Sequence, residues 1–236
     1  MAELTEKNTA EKAVKQPIQS NNTGMSTEEI IEKYKTPALA GLGIVVALIA
    51  AFVFYKYNQS EKSTTAQEEM ETAVFYFEQD SLELALKGNE AKDIRGLQDI
   101  ADEYAGTPAG NLASFYTGII YLKQAKYQEA IDYLDKYDSK DGIMQARSWA
   151  AMGDAYSDLK DIENSIKYYK KAAEHKPNEQ ITPGYLMKLG LAYELNKDWK
   201  AAAEAYDKVI TDFPKSQDVA DAKKYKAKAL ALSASE

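Results

Sequence analysis

The sequence predicts an all-α protein: a single N-terminal transmembrane helix followed by an α-solenoid of repeated helix pairs. Two observations carry that prediction. Ala38 to Tyr55 reads ALAGLGIVVALIAAFVFY, without one charged side chain. Beyond Gly110, small and apolar residues recur at helical spacing in units of about 35 residues, each pair closed by a loop. A third observation narrows the chemistry: the 236 residues include no Cys, which removes disulfides, thiolate catalysis, iron–sulfur clusters and cysteine zinc sites.

Taken in order, residues 1–25 are rich in Glu, Lys, Asn, Thr and Gln with almost no apolar side chain, and are expected to be disordered. Ser26 followed by Glu29 forms a capping-box pattern. Ile30, Ile31 and Tyr34 then supply an apolar side before Pro37, so 1–36 reads as a tail and a short interfacial helix. Residues 37–57 are the expected span. A helix of eighteen residues rises about 27 Å, close to the roughly 30 Å hydrocarbon core of a bilayer, and Tyr34 and Tyr57 stand at the interfaces. The run is longer than the hydrophobic region of a signal peptide, and no small-x-small cleavage site followed by a polar start occurs after Val53. Within it Gly43, Ala47 and Ala51 recur every fourth residue, a face on which a neighbouring membrane helix could pack closely. Lys33 and Lys35 on one side balance Lys56 and Lys62 on the other. Charge therefore leaves orientation open, and the polar tail without a cleavable signal favours a cytoplasmic N-terminus with the rest exported.

Residues 58–110 are expected to hold a linker helix, Asn58 to Asp80, and a degenerate first helix pair. Gly88 and Asn89 break the pattern, a helix follows from Lys92 to about Tyr104, and Ala105 to Pro108 stops it. Residues 111–216 carry the repeats. The clearest unit, Ala146 to Glu179, has Trp149, Gly153, Tyr156, Tyr169, Ala172 and Pro177. Pro183 to Ser216 repeats it with Leu186, Leu189, Gly190, Tyr193, Ala202, Tyr206 and Pro214, and Asn111 to Met144 more loosely with Gly118, Tyr121, Ala130 and Leu134. The equivalent glycines lie 35 and 37 residues apart, the second interval holding a short insertion around Asn178 to Thr182. These positions resemble the tetratricopeptide-repeat signature. Residues 217–236 are expected to form a closing helix through Val219, Ala222, Tyr225 and Ala229.

In that register the first helix of each pair lines a concave surface. Its inward positions are Leu112, Phe115, Ile119 and Leu122, then Arg147, Ala150, Asp154 and Ser157, then Met187, Leu191 and Glu194. The groove reads as apolar at one end and mixed at the other, which suits an extended or amphipathic segment or a partly folded chain. Whether residues 58–105 fill it stays open at this stage. Only Arg147 is basic among these positions, which argues against a multi-lysine grip on a terminal carboxylate.

Residues 1–57 hold six Lys and six Glu, so the whole net charge of −8 falls on the region beyond them. An acidic domain without a basic stripe is not a nucleic-acid binder. The lone histidine, His175, is expected to interact with the last carbonyls of its helix. No nucleophile, paired carboxylates, metal-ligand cluster or phosphate-cradling loop stands out, so no catalytic residue, metal or cofactor is assigned, no small-molecule substrate is expected, and the chain reads as a non-enzyme.

A tail, one span, a linker helix and a repeat domain also resemble the YfgM-like family of ancillary translocon subunits. The resemblance implies a single-pass protein of the bacterial inner membrane with a periplasmic repeat domain. It further implies association with the SecYEG translocon and a PpiD-type prolyl isomerase, and a chaperone-like role toward unfolded or extended exported polypeptides. The competing class is a structural scaffold or assembly factor of another cell-envelope complex, and a third reading reverses the topology into a cytoplasm-facing adaptor.

Overall fold

The computed structural model describes residues 27–235; the expected disordered tail and the Ser26 cap lie outside them. The chain divides between Tyr55 and Lys56 into two compact units. The first helix, α1, is Thr27–Glu78. Three separate elements were expected over this stretch, with a break at Pro37 and a new start at Asn58. One helix forms because a single Pro removes only one donor, and no Gly or Pro occurs between Gly43 and Gly88 to end it.

In the first unit the described apolar side chains of α1 stand away from any protein core: Leu39, Ile44, Leu48, Phe52 and Phe54 are among those between 51% and 73% exposed. Among the described residues no helix is long and apolar enough to cross a membrane. The described side chains of the run extend only from Leu39 to Phe54, whereas the sequence run continues to Ala38 and Tyr55.

The second unit is a solenoid. Short helices α2 (Leu82–Lys87) and α3 (Leu97–Glu103) are followed by α4 (Pro108–Lys123), α5 (Tyr127–Lys136), α6 (Gly142–Asp158), α7 (Ile162–Glu174), α8 (Thr182–Leu195), α9 (Trp199–Asp212) and α10 (Val219–Ser233). Four turns share one construction. Asp80, Ala125, Lys160 and Lys197 take left-handed φ of 54°, 57°, 65° and 61°. The next residue's N–H in each case donates at 2.9 Å to the carbonyl of Tyr76, Tyr121, Tyr156 or Tyr193. This is a helix stop that satisfies a terminal carbonyl and reverses the chain. Its recurrence at Tyr76 makes the end of α1 the first helix of a fourth pair.

The same register explains the core. Ala85, Ala130, Ser165 and Ala202 occupy one position in four successive pairs, and each is fully buried. At the closest approach of the two helices stand Ala73, Gly118, Gly153 and Gly190. A Cβ on Gly153 would lie 2.6 Å from Tyr169 Cδ1, and on Gly190 2.4 Å from Tyr206 Cε1. The small residue thus makes room for a large one of the partner helix, to the density of a protein interior. Side chains cap the later helices: Thr107 accepts from Gly110 N, Asp141 from Ile143 N, Asp161 from Asn164 N and Asp198 from Ala201 N.

The second helix of the first pair departs from expectation. The helix expected over Lys92 to Tyr104 is shorter, Leu97–Glu103, because a hairpin interrupts the chain before it. Strands β1 (Gly88–Asn89) and β2 (Ile94–Arg95) pair antiparallel, Gly88 opposite Arg95 and Asn89 opposite Ile94. Gly88 has φ of +71°, and a Cβ on Gly96 would lie 2.2 Å from the Leu86 carbonyl oxygen. Two glycines are therefore what the neck of the insertion requires. Arg95 ties the hairpin down by bonding Glu103 and approaching Glu69 of α1 at 3.7 Å.

Candidate functional site

The first helices of the four pairs, the end of α1 with α4, α6 and α8, face a cavity of about 520 Å³. One end is apolar. Phe77 of α1 and Phe115, Tyr116, Ile119 and Leu122 of α4 line it, joined by Met144 of α6. Phe77 stands edge-on to Tyr116 with ring centroids 5.1 Å apart. Phe77, near the end of α1, thus forms part of the groove wall and leaves space beside it. A smaller apolar hollow of about 300 Å³ adjoins through Tyr116 and is lined by Met70, Val74, Phe75 and Leu112.

The other end is charged. Asp154 of α6 accepts from Lys188 Nζ of α8 at 2.6 and 2.8 Å and from the Tyr169 hydroxyl of α7 at 2.6 Å. Three helices meet at one carboxylate, so Asp154 is already satisfied. Arg147, exposed on the same wall, makes no hydrogen bond or ion pair among the described residues.

Of the groove positions read from sequence, the structure gathers Phe115, Ile119, Leu122, Arg147, Ala150 and Asp154 around one cavity, and places Leu112 in the adjoining hollow. The third set does not join them. Met187 packs half-buried against the core of the last pair, and Leu191 is exposed outside the cavity. Glu194 is a correction. It is buried, accepts from Tyr206 Oη at 3.2 Å and from Lys228 Nζ at 2.6 Å, and so anchors α10 in place of facing a ligand. The closing helix sits where a fifth pair would continue the groove. In the first unit, nothing approaches within 4 Å of a Cβ built on Gly43, and Ala47 and Ala51 are exposed.

Sequence reasoning missed Phe77, Tyr116, Met144, Tyr185 and Lys188. Phe77 had a signal: it holds in its pair the position that Leu122 holds in the next, with Tyr76 and Tyr121 as markers. Lys188 had none, since its long side chain reaches back from outside the inward positions. His175 also differs from expectation. Its ring stands edge-on to Trp149 at 5.0 Å, and Nε2 is buried with no partner among the described residues.

Two other depressions hold ion pairs of their own. Asp102 binds Lys136 and the Tyr133 hydroxyl in one, and Arg95 binds Glu103 in the other. Among the described residues no cluster of His, Asp and Glu is placed to hold a metal ion.

Burial, reinforced by a hydrogen bond to a carboxylate, pushes the Tyr169 and Tyr133 hydroxyls well above their ordinary value near 10. Burial and the charge of Glu194 do the same to Tyr206. The folded chain retains these protons where the unfolded chain has lost them. Stability is therefore complete below about pH 10 and falls above it. Thermal melting should hold steady from pH 7 to 9 and drop between pH 10 and 11, with a smaller drop in Tyr169→Phe. An unchanged midpoint at pH 11 would contradict the buried network.

Models described as tetratricopeptide repeat match residues 112–140, 146–179 and 185–216. Among solved structures, a protein described as a kinesin light chain of Podosopora anserina with nearly identical TPR-like repeats aligns at 14% identity with a TM-score of 0.52. It covers 74% of this chain and 89% of its own. MamA protein aligns at 18% identity with a TM-score of 0.50, covering 71% and 87%. At these identities the likeness is one of fold. No curated protein matches the chain. None of these matches is to an enzyme family.

Proposed function

We propose, for a chain that carries tetratricopeptide repeats stacked as one α-solenoid, that it is a membrane-anchored accessory subunit holding segments of exported polypeptides in its groove, in chaperone-like fashion, beside the SecYEG translocon. Tetratricopeptide repeats are a protein–protein interaction module, and that part needs no proposal. One observation carries the rest: a helix whose described residues 39–54 expose a full circumference of large apolar side chains leads into a repeat domain with a partly apolar groove. Such a helix surface is satisfied by lipid, and such a groove by an unfolded segment with exposed apolar residues. In this reading the protein is single-pass in a bacterial inner membrane, with its N-terminus cytoplasmic and its repeats periplasmic. Its neighbours are SecYEG and a prolyl isomerase of the PpiD type, met through the helix face of Gly43, Ala47 and Ala51.

Extraction in mild detergent followed by affinity recovery of the full-length chain tests it. SecY among the recovered proteins is the expected result. Recovery of a different stoichiometric complex without SecY would instead make the chain a scaffold of another envelope assembly. Protease added to spheroplasts should digest the repeat domain; full protection would reverse the topology.

A further inference from the structure

The two ends of the solenoid carry opposite charge, although the chain as a whole is acidic. Between Ser63 and Glu78, α1 holds four Glu and no Lys or Arg, whereas α10 holds four Lys and one Asp. On α1, Glu69 lies beside Arg95, and Glu68, Glu71 and Glu78 are exposed without an ion pair among the described residues. On α10, Lys226 is bound to Asp207 and Lys228 to Glu194, which leaves Lys223 and Lys224 exposed and without a carboxylate among the described residues. Each end also exposes a large apolar side chain, Phe75 at 55% and Leu230 at 50%. Phe75 borders the hollow of about 300 Å³, whose charged members are Glu71 and Glu78.

The two patches also match in spacing. Glu68, Glu71 and Phe75 follow at i, i+3 and i+7, and Lys223, Ala227 and Leu230 at i, i+4 and i+7, so each set lies on one face of its helix. In both, the charge precedes the apolar residue by two turns, about 10.5 Å of helix. α10 follows α9 as α6 and α8 follow the second helices before them, so it runs in the direction of a first helix, as α1 does. We infer that a second copy of this chain docks end to end: α10 of one copy lies parallel to the outer face of α1 in the next, with Leu230 against Phe75 and its hollow, and Lys223 and Lys224 against Glu68 and Glu71. The patches close opposite ends of one copy, so neither satisfies the other within it. Unlike ends attract and like ends repel, which selects head-to-tail over head-to-head contact. Because the two patches differ, the contact is heterologous and copies add one after another without stopping at a dimer.

Sedimentation velocity of the full-length protein in a nonionic detergent, over a series of protein concentrations, tests this. Mass should rise with concentration past the dimer, and association should weaken about tenfold between about 0.05 M and about 0.5 M NaCl. Glu68→Lys with Glu71→Lys makes both ends basic, and Lys223→Glu with Lys224→Glu makes both acidic. Each double variant should stay monomeric where the parent associates. An equimolar mixture of the two should associate again, as should the chain that carries all four substitutions. Leu230→Ser should weaken association about tenfold by removing the apolar contact. A parent that stays monomeric at low salt, association indifferent to either charge reversal, or a mixture that does not recover overturns the inference. So does growth that ends at a dimer, or association lost only when Gly43, Ala47 and Ala51 are all replaced by Leu, which would assign self-association to the first unit. Circular dichroism of each variant confirms that lost association is not lost folding.

Discussion

Gly153→Leu is expected to lower the melting temperature of the solenoid by about 10 °C, from a loss of roughly 3 kcal/mol through overpacking. Any Cβ at this position meets the Tyr169 ring at 2.6, 2.7 and 3.0 Å, and the ring is not the free end of a flexible chain. It is buried and pinned by its hydroxyl to Asp154, which is itself held by Lys188. The wedge therefore has to separate α6 from α7 or break a bond shared by three helices. Loss of the Gly helix penalty offsets only about 1 kcal/mol. Gly184 supplies the contrast, because a Cβ there meets nothing within 4 Å. Gly184→Ala should leave melting unchanged or raise it slightly. Calorimetry of the full-length chain in detergent reads both, and equal melting of Gly153→Leu and the parent would refute the register.

That register was legible because a repeat writes the same sterics several times. Gly118, Gly153 and Gly190 each answer to a large residue of the partner helix, and Tyr121, Tyr156 and Tyr193 each mark the same turn. The first pair was harder to read for a physical reason. Ala73 replaces the glycine, and the hairpin at Gly88 to Arg95 lengthens the interval from Tyr76 to Tyr121 to 45 residues, so the period fails although the packing does not. Local signals did mark the insertion, as Gly88 and Gly96 bound it, but a break in helical pattern does not say what fills the break.

The lining of the groove was legible in its apolar half and misread at its far end. Phe115, Ile119 and Leu122 line the groove because inward positions of a first helix follow from periodicity alone. Glu194 follows the same periodicity, yet α10 covers it, and its charge pairs with Lys228 from that helix. Periodicity places a side chain on a face and is silent about which later element packs there. The capping helix therefore sets where the groove ends.

If α1 anchors the chain as proposed, replacing Val45 and Leu48 together by Arg should move the full-length chain from the membrane pellet to the supernatant, the most drastic outcome expected of any change outside the repeats. Both side chains are exposed, at 51% and 65%, and both lie near the middle of the apolar run. A charged side chain at the centre of a spanning helix costs about 3 kcal/mol on insertion scales, so two cost roughly 6 kcal/mol, enough to reverse partitioning of a marginal single span. Neither residue belongs to the unit that contains the repeats, so melting of the solenoid should be unaffected. Gly43→Leu, Ala47→Leu and Ala51→Leu together make the opposite probe: they add apolar surface, so the chain should remain in the membrane while recovery of a neighbouring span falls. The pair of experiments separates two roles of one helix. Membrane retention of the double-Arg chain after an alkaline wash would show that the run does not anchor it, and undiminished partner recovery from the triple-Leu chain would confine binding to the groove.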